Sequence, residues 1–264
     1  MEKKTDSIII EEVNPEPISE SHECVDKEEQ SDNITVTECK SEEDETQKHI
    51  HTENKPLLTE KTSNSTIFKN IYENQIWGKN CCDEFDFTGS SGQSAKLNYN
   101  RDYVIFMKKF ILNNRCKSVI DLGCGDWEHS STLYDGLNIQ YYGYDVYDKL
   151  INGLKVKYPQ YHFQTLDVIQ QKNLLRRGDI CILKDFCEYI CNEDIVSLLN
   201  HIIDNKLYKY IFIVNTYNKE NKCCDIETNG KQHKISFHNS PLNVFKATVM
   251  MKYKGKELLM ISCL

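Results

Sequence analysis

From Tyr103 to Asn215 short apolar runs alternate with stretches of helical periodicity, and no other feature constrains the fold as tightly. "YVIFMKKFILNN" (Tyr103–Asn114) repeats its apolar residues at helical spacing. "KSVIDLG", "IQYYGYDV", "YHFQTLDV", "GDICILKD" and "YKYIFIVN" read as strands, rich in Ile, Val, Tyr and Phe. Between them lie "WEHSSTLYDG", stopped by Gly136, "YDKLINGLKVKYP", ended at Pro159, the short "IQQKNLLRR", and "NEDIVSLLNHIIDN". The last has Asn192 as its cap and acids in its first turn. Strands separated by helices run parallel, with helices on both faces. After a loop from Thr216 to Pro241, "NVFKATVMMKY" and "KELLMISCL" follow without a helix, joined by a turn near Gly255. The pattern predicts an α/β, doubly wound, Rossmann-like sheet of seven strands, mostly parallel and closed by an antiparallel hairpin.

Upstream the texture is different. Residues 1–66 hold 18 Asp/Glu and 7 Lys/Arg, a net of −11, so of the chain's −8 the rest contributes +3. "KEEQSDN" and "KSEEDETQK" have no apolar period and cannot bury enough surface to offset their ordering entropy. Residues 1–65 therefore read as a disordered acidic tail, whose His49 and His51 are not expected to bind metal, and 66–264 as one folded domain. The acidic balance belongs to the tail and places no demand on a site in the body. No apolar run approaches the roughly 18 residues of a membrane span. The opening "MEKKTDSIIIEEVNPEP" lacks a signal-peptide core, so a cytoplasmic location is expected. The sequons at Asn33 and Asn64 are then idle, and the 12 Cys are read as free thiols. The adjacent pairs Cys81-Cys82 and Cys223-Cys224 lack metal-knuckle spacing; Cys187 and Cys191 share a helix face at most. No metal is expected.

The stretch "VIDLGCGDWEHS" (Val119–Ser130) carries the chemistry. In a doubly wound sheet the ligand sits at the carboxyl ends of the strands near the switch point. Gly123 and Gly125, lacking a Cβ, let the backbone approach a ligand closely. The helix beginning near Trp127 directs its partial positive charge to the same place. The next strand ends in Asp145, where a carboxylate can accept from two ribose hydroxyls. A dinucleotide fingerprint would need a third glycine at position 128, which is Glu128, and no P-loop G-K-[ST] is present. Asp121, two residues before the first glycine, instead suits an ammonium. A nucleoside with an amino-acid arm satisfies both carboxylates, and S-adenosyl-L-methionine is such a molecule.

"VIDLGCGDW", "YYGYDV", "FQTLDV" and "GDICILKDFCEYICNEDI", in that order, resemble the successive motifs of class I S-adenosylmethionine-dependent methyltransferases. The resemblance covers roughly residues 67–264 and is closest to a subgroup whose first motif reads D-L-G-C-G-D-W and whose fourth reads K-D before a helix. The upstream "IYENQIWG" and "GSSGQS" also resemble that subgroup. It implies that Asp121, Gly123 and Gly125 line the methionine arm, Asp145 holds the ribose, and Asp167 with Val168 faces the adenine. Lys184 and Asp185 would stand near the methyl group and the acceptor. Two positions depart from the pattern. Trp127 replaces the usual third glycine, either covering the ligand or anchoring its helix, and Tyr189 stands where the subgroup has His. A phenol with a pKa near 10 is a poor base, so Tyr189 with Asp185 positions the nucleophile or takes its proton only if shifted.

Other residues are weighed against plainer roles. Tyr72 and Trp77 either fold over the cofactor or pack in the core; Arg101 and His129 are expected at the surface; His233 and His238 lie in a loop where substrate-facing insertions occur. The fourth motif lacks the Asn/Asp-Pro-Pro-aromatic turn of base-amine methylases. A Lys-Asp-Lys-Glu set for ribose hydroxyls is only loosely matched by Asp185, Lys219 or Lys222, and Glu257. A small-molecule or glycan acceptor, with a hydroxyl favoured, is the expectation, without membrane or nucleic-acid partners. A protein or RNA methyltransferase, a degenerate cofactor-binding module and an interaction protein acting through its tail are the alternatives.

Overall fold

The computed structural model describes residues 62–79, 90–217 and 224–263. The expected tail, His49, His51, the Cys81-Cys82 pair, Lys219, Lys222 and Cys223 lie outside the described residues. Seven strands form one sheet: β1 (Ser118–Leu122), β2 (Gln140–Asp145), β3 (His162–Thr165), β4 (Gly178–Lys184), β5 (Tyr208–Thr216), β6 (Ala247–Tyr253) and β7 (Lys256–Ser262). Their order is β3-β2-β1-β4-β5-β7-β6, parallel up to β5, with β7 antiparallel to both β5 and β6. The chain thus starts at the centre and winds outward both ways, which puts the switch point between β1 and β4. Among the described residues five α-helices accompany the strands: α1 (Asn64–Glu73), α2 (Leu97–Asn113), α3 (Glu128–Tyr134), α4 (Asp148–Lys157) and α5 (Asn192–Asp204).

Alternation along the central strands separates two cores. Ile120 and Leu122 of β1, Cys181 and Leu183 of β4, and Ile211 and Ile213 of β5 face one side, where α5 packs through Ile195, Leu198, Leu199 and Ile202. Those four residues keep the i, i+3, i+4, i+7 spacing of one helix face. Val119, Ile180, Ile182, Phe212 and Val214 face the other side, against α2, α3 and α4. Both faces are covered, so the strands read as nearly continuous apolar runs. Among the described residues no helix is long and apolar enough to cross a membrane.

Local departures from the sequence pattern have local causes. The expected helix over "IQQKNLLRR" is only a 3-10 turn, Lys172–Leu174: Leu175 is buried but Leu174 is exposed, so there is no apolar stripe to hold a longer helix. Helix α1 begins at Asn64, inside the segment assigned to the tail. Its Phe68, Ile71 and Tyr72 pack inward despite their irregular spacing. Helix α2 starts two turns early, because its first turns are polar; buried Asn100 secures them by donating to the Ser94 and Lys96 carbonyls. The cap of α5 is Cys191 rather than Asn192. Strand β6 begins at Ala247, after a turn at Leu242–Val244.

Trp127 explains the start of α3. It caps that helix at φ 61°, a left-handed conformation that favours glycine, the residue the resemblance expects in this part of the motif. The indole is buried against Tyr134, Tyr141, Tyr158, Tyr161 and Phe163, with ring centroids 4.5–6.1 Å away. This packing offsets the backbone strain; Trp127 anchors its helix in this aromatic layer and does not line the cleft described below. Trp127→Ala is expected to lower stability by about 3–5 kcal/mol, as for other buried aromatics, read as a fall in the urea midpoint.

Candidate active site

A cleft of about 990 Å³, its open mouth included, lies at the carboxyl ends of β1, β2 and β4. Its floor is the turn after β1. The Gly123 and Cys124 N–H groups both donate to the Tyr144 carbonyl, at 2.8 and 2.9 Å, folding the turn back over β2. Gly123 and Gly125 have φ of 74° and 58°. A Cβ on Gly123 would stand 2.7 Å from the Phe186 ring, and one on Gly125 would stand 2.5 Å from Ser91 Oγ. Both positions therefore need glycine for conformation and for space. Ser91, in the "GSSGQS" loop, locks the turn reciprocally. Its N–H donates to Asp126 Oδ2 at 2.8 Å, and its Oγ accepts from the Asp126 N–H at 2.7 Å.

Asp121 and Asp145 line the cleft from neighbouring strand tips. Asp121 Oδ2 accepts from the Tyr141 hydroxyl at 2.8 Å. Asp145 accepts from the Gly125 and Tyr147 N–H groups, each at 3.1 Å. Burial pushes both carboxyls up to about 6, against the hydrogen bonds that favour ionisation and, for Asp121, the Lys184 ammonium. A buried carboxylate raised in this way gains most from a positively charged or hydrogen-bond-donating ligand. Asp167 is committed differently. Both its oxygens accept from the Asn64 amide of α1, at 3.2 and 3.1 Å, and Oδ1 also takes the Ile169 and Gln170 N–H groups. Asp167 thus clamps α1 to the turn after β3, with Val168 buried beside it on the cleft wall.

The far end of the cleft is built from β4 and β7. Asp185 sits at φ 56°, and both of its oxygens take ammonium donors: Lys184 Nζ at 2.6 Å, and Lys256 Nζ. Lys184 also donates to the Ser94 carbonyl, and Lys256 stands 3.8 Å from Glu188 Oε1. Burial pulls the Asp185 carboxyl up, but the two ammonium groups outweigh it and hold the carboxyl below its ordinary range. Tyr189 packs on Trp77, with ring centroids 4.9 Å apart. Burial, then the charges of Glu188 and Asp185, push its phenol well up, so it keeps its proton. His129 is not at the surface as expected. It is buried on the cleft wall, with Nδ1 3.1 Å from the Ala95 carbonyl, and burial with the Lys184 ammonium pushes its imidazole down to about 3.

Helix α1 and the segment after it form the roof, with Phe68, Tyr72 and Trp77 on the cleft. Asn229 donates to Asn64 Oδ1 and to Asp194 Oδ2, both at 2.9 Å, and accepts from the Cys191 N–H at 2.7 Å. One asparagine thus joins the roof to the start of α5. Asn64 is buried and engaged in this network.

Of the residues singled out in the sequence, Asp121, Gly123, Gly125, Asp145, Asp167, Val168, Lys184, Asp185 and Tyr189 all meet on this cleft. Trp127 stands apart in the aromatic layer. His233 is a buried brace, its ring nitrogens 3.0–3.1 Å from the carbonyls of Cys187, Ile190 and Cys224. His238 and Arg101 are exposed. Cys187 and Cys191 are buried on a 3-10 turn and a helix cap, not one helix face. Sequence reasoning missed Phe186, Ser91, His129 and Lys256 as site residues. Phe186 follows the K-D pair and Ser91 lies in a quoted loop, so both had a signal; Lys256, brought in by the hairpin, had none.

No family model matches the chain, and no curated protein matches it. Solved structures do match. The fold is that of S-adenosylmethionine-dependent methyltransferases. One neighbour is magnesium protoporphyrin IX methyltransferase from Synechocystis PCC 6803 with bound S-adenosylmethionine, at TM-score 0.51 and 15% identity, covering 76% of this chain and 97% of that one. The same enzyme with bound S-adenosylhomocysteine gives 0.50 and 14%, covering 75% and 98%. The methyltransferase domain of a bacterial Hen1 gives 0.50 and 12%, covering 62% and 100%. At such identities the likeness is one of fold.

The raised carboxyl of Asp121 carries a stability consequence. Its folded pKa exceeds its unfolded value, so its contribution is lost as pH rises from about 4 through about 6. Asp121→Asn removes that loss. It is expected to stabilise the protein by about 2–3 kcal/mol near pH 7.5 and by little near pH 4, in urea titrations at the two pH values.

Proposed function

We propose that this chain is an S-adenosylmethionine-dependent methyltransferase that transfers the methyl group to an oxygen of a small molecule or glycan. One observation carries the reading: two buried carboxylates, Asp121 and Asp145, face one cleft across a turn that only glycine can make. The cradle fits the group. Asp121 would receive the ammonium of the amino-acid arm. Asp145, held by backbone N–H groups that include those of Gly125 and Tyr147, would serve the ribose hydroxyls. Leu166, Val168 and Ile169 supply an apolar wall for the adenine. Asp167, committed to Asn64, acts on that end mainly by holding the roof.

Bound S-adenosylmethionine supplies a methyl group on a sulfonium, ready for in-line displacement. The protein's part is then alignment and exclusion of water. The roof aromatics Phe68, Tyr72 and Trp77 cover the cleft, and Lys184, Asp185 and Tyr189 border the space left for an acceptor. The ion-paired Asp185 and the high-pKa Tyr189 also support a second reading, a module that binds the cofactor without turnover.

Calorimetry on the purified chain is expected to show S-adenosylmethionine binding that Asp145→Ala abolishes; a wild-type chain without affinity for it refutes both readings. Turnover to S-adenosylhomocysteine separates enzyme from module. Binding is also expected to weaken as pH falls below about 6, because Asp121 and Asp145 must ionise to receive the ligand. The expected slope is about tenfold per pH unit for each carboxylate that must lose a proton.

A further inference from the structure

The edge of the sheet at β3 carries a concentration of charge that averaging over the domain hides. Residues 149–178 hold 6 Lys/Arg and 1 Asp/Glu, a net of +5, against +3 for all of residues 67–264. The single acid is Asp167, already engaged by Asn64. The cations are not matched by carboxylates. Among the described residues Lys155, Lys157, Lys172, Arg176 and Arg177 form no ion pair. Lys172 donates to Ser197, and Arg177 to the Lys206 carbonyl at 3.0 Å. Lys157 and Arg176 lie 5.4 and 4.5 Å from the ring centroids of Tyr158 and Tyr142.

A groove of about 1000 Å³, its open mouth included, lies along this edge. It shares no lining residue with the cleft. It exists because the crossover from β3 to β4 carries only the turn Lys172–Leu174, where a helix would cover the outer strands. Lys155 and Arg176 line it. So do Tyr142 and His162, register partners on β2 and β3, whose rings stack 4.8 Å apart at 13°. His162 is exposed and β3 is an outermost strand, so the stack ends at the edge of the sheet. Cations without carboxylate partners suit a polyanion, and a ring stack that ends at an open groove suits one with flat faces. Phosphates and nucleobases combine the two in one chain, whereas an acidic peptide or a lipid headgroup brings only the charge. The bases must be unpaired to offer a face. We propose that the groove at the β3 edge binds a single-stranded nucleic acid. A base continues the Tyr142–His162 stack, and Lys155, Arg176 and the neighbouring cations take the flanking phosphates. This surface is independent of the methyltransferase reading and of what the cleft accepts.

The test is fluorescence anisotropy of a labelled oligouridylate with the full chain, at about ten nucleotides, within the length one such platform covers. Saturable binding is the expected result, with log affinity falling against log salt at a slope of about −0.7 per phosphate contacted. Lys155→Ala combined with Arg176→Ala should weaken binding about tenfold or more and make the slope shallower by roughly 1.4. His162→Ala should weaken binding about five- to a hundredfold, the worth of one stacked base, and leave the slope unchanged. All three side chains are exposed, so the fold should survive, which melting curves of the variants check. No binding by the wild-type chain overturns the proposal, whether or not the chain attaches to vesicles of anionic lipid. Binding untouched by the Lys155/Arg176 pair of substitutions, or by His162→Ala, also overturns it. So does displacement by polyglutamate as readily as by unlabelled oligouridylate, in favour of an acidic peptide.

Discussion

Keeping a carboxylate out of water is expensive unless something positive or hydrogen-bonding compensates it, and this molecule does so at two adjacent strand tips. Asp121 and Asp145 are both buried, both raised toward neutrality, and close enough that Asp145 adds to the strain on Asp121. The surrounding architecture serves that arrangement. Parallel pairing of β1 with β2 brings the tips side by side, and the left-handed glycines fold the turn so that its N–H groups reach Tyr144 and Asp145. A stability optimum would replace one carboxylate with an amide. Retaining both is the cost that the proposed binding of a cationic nucleoside would explain.

The opposite end follows the reverse logic. There the charges are matched inside the protein: two lysines, from β4 and β7, on one aspartate, with Glu188 beside them. Such a cluster fixes geometry and leaves little capacity for proton transfer. One cleft thus joins an end that is electrostatically unsatisfied to an end that is electrostatically complete.

Most of the scaffold was legible from periodicity, because strands covered on both faces and helices with a single apolar stripe leave distinct sequence patterns. All seven strands were placed, as was the antiparallel closure. What escaped was structure held by polar side chains. The first turns of α2 depend on Asn100 and the seat of α1 on Asn64, and neither interaction leaves a period. The site divides in the same way. Residues on strand tips and the glycine turn were readable because their position in a parallel sheet determines what they face. His129 was misjudged because the sequence does not show that the Ser90–Ala95 loop closes over it, and Lys256 reaches Asp185 only through pairings with residues far along the chain. Trp127 was open in the sequence between two roles, and the aromatic layer around it decides for the anchor.

The chain has two tryptophans, and the fold sends them to opposite duties. Trp127 is sealed among tyrosines and Phe163, while Trp77 lies on the cleft against Tyr189. Their emission therefore separates two events within one spectrum. The interior indole would report loss of the native state, and the cleft indole any occupation of the cavity, so each would serve as an internal optical reference for the other.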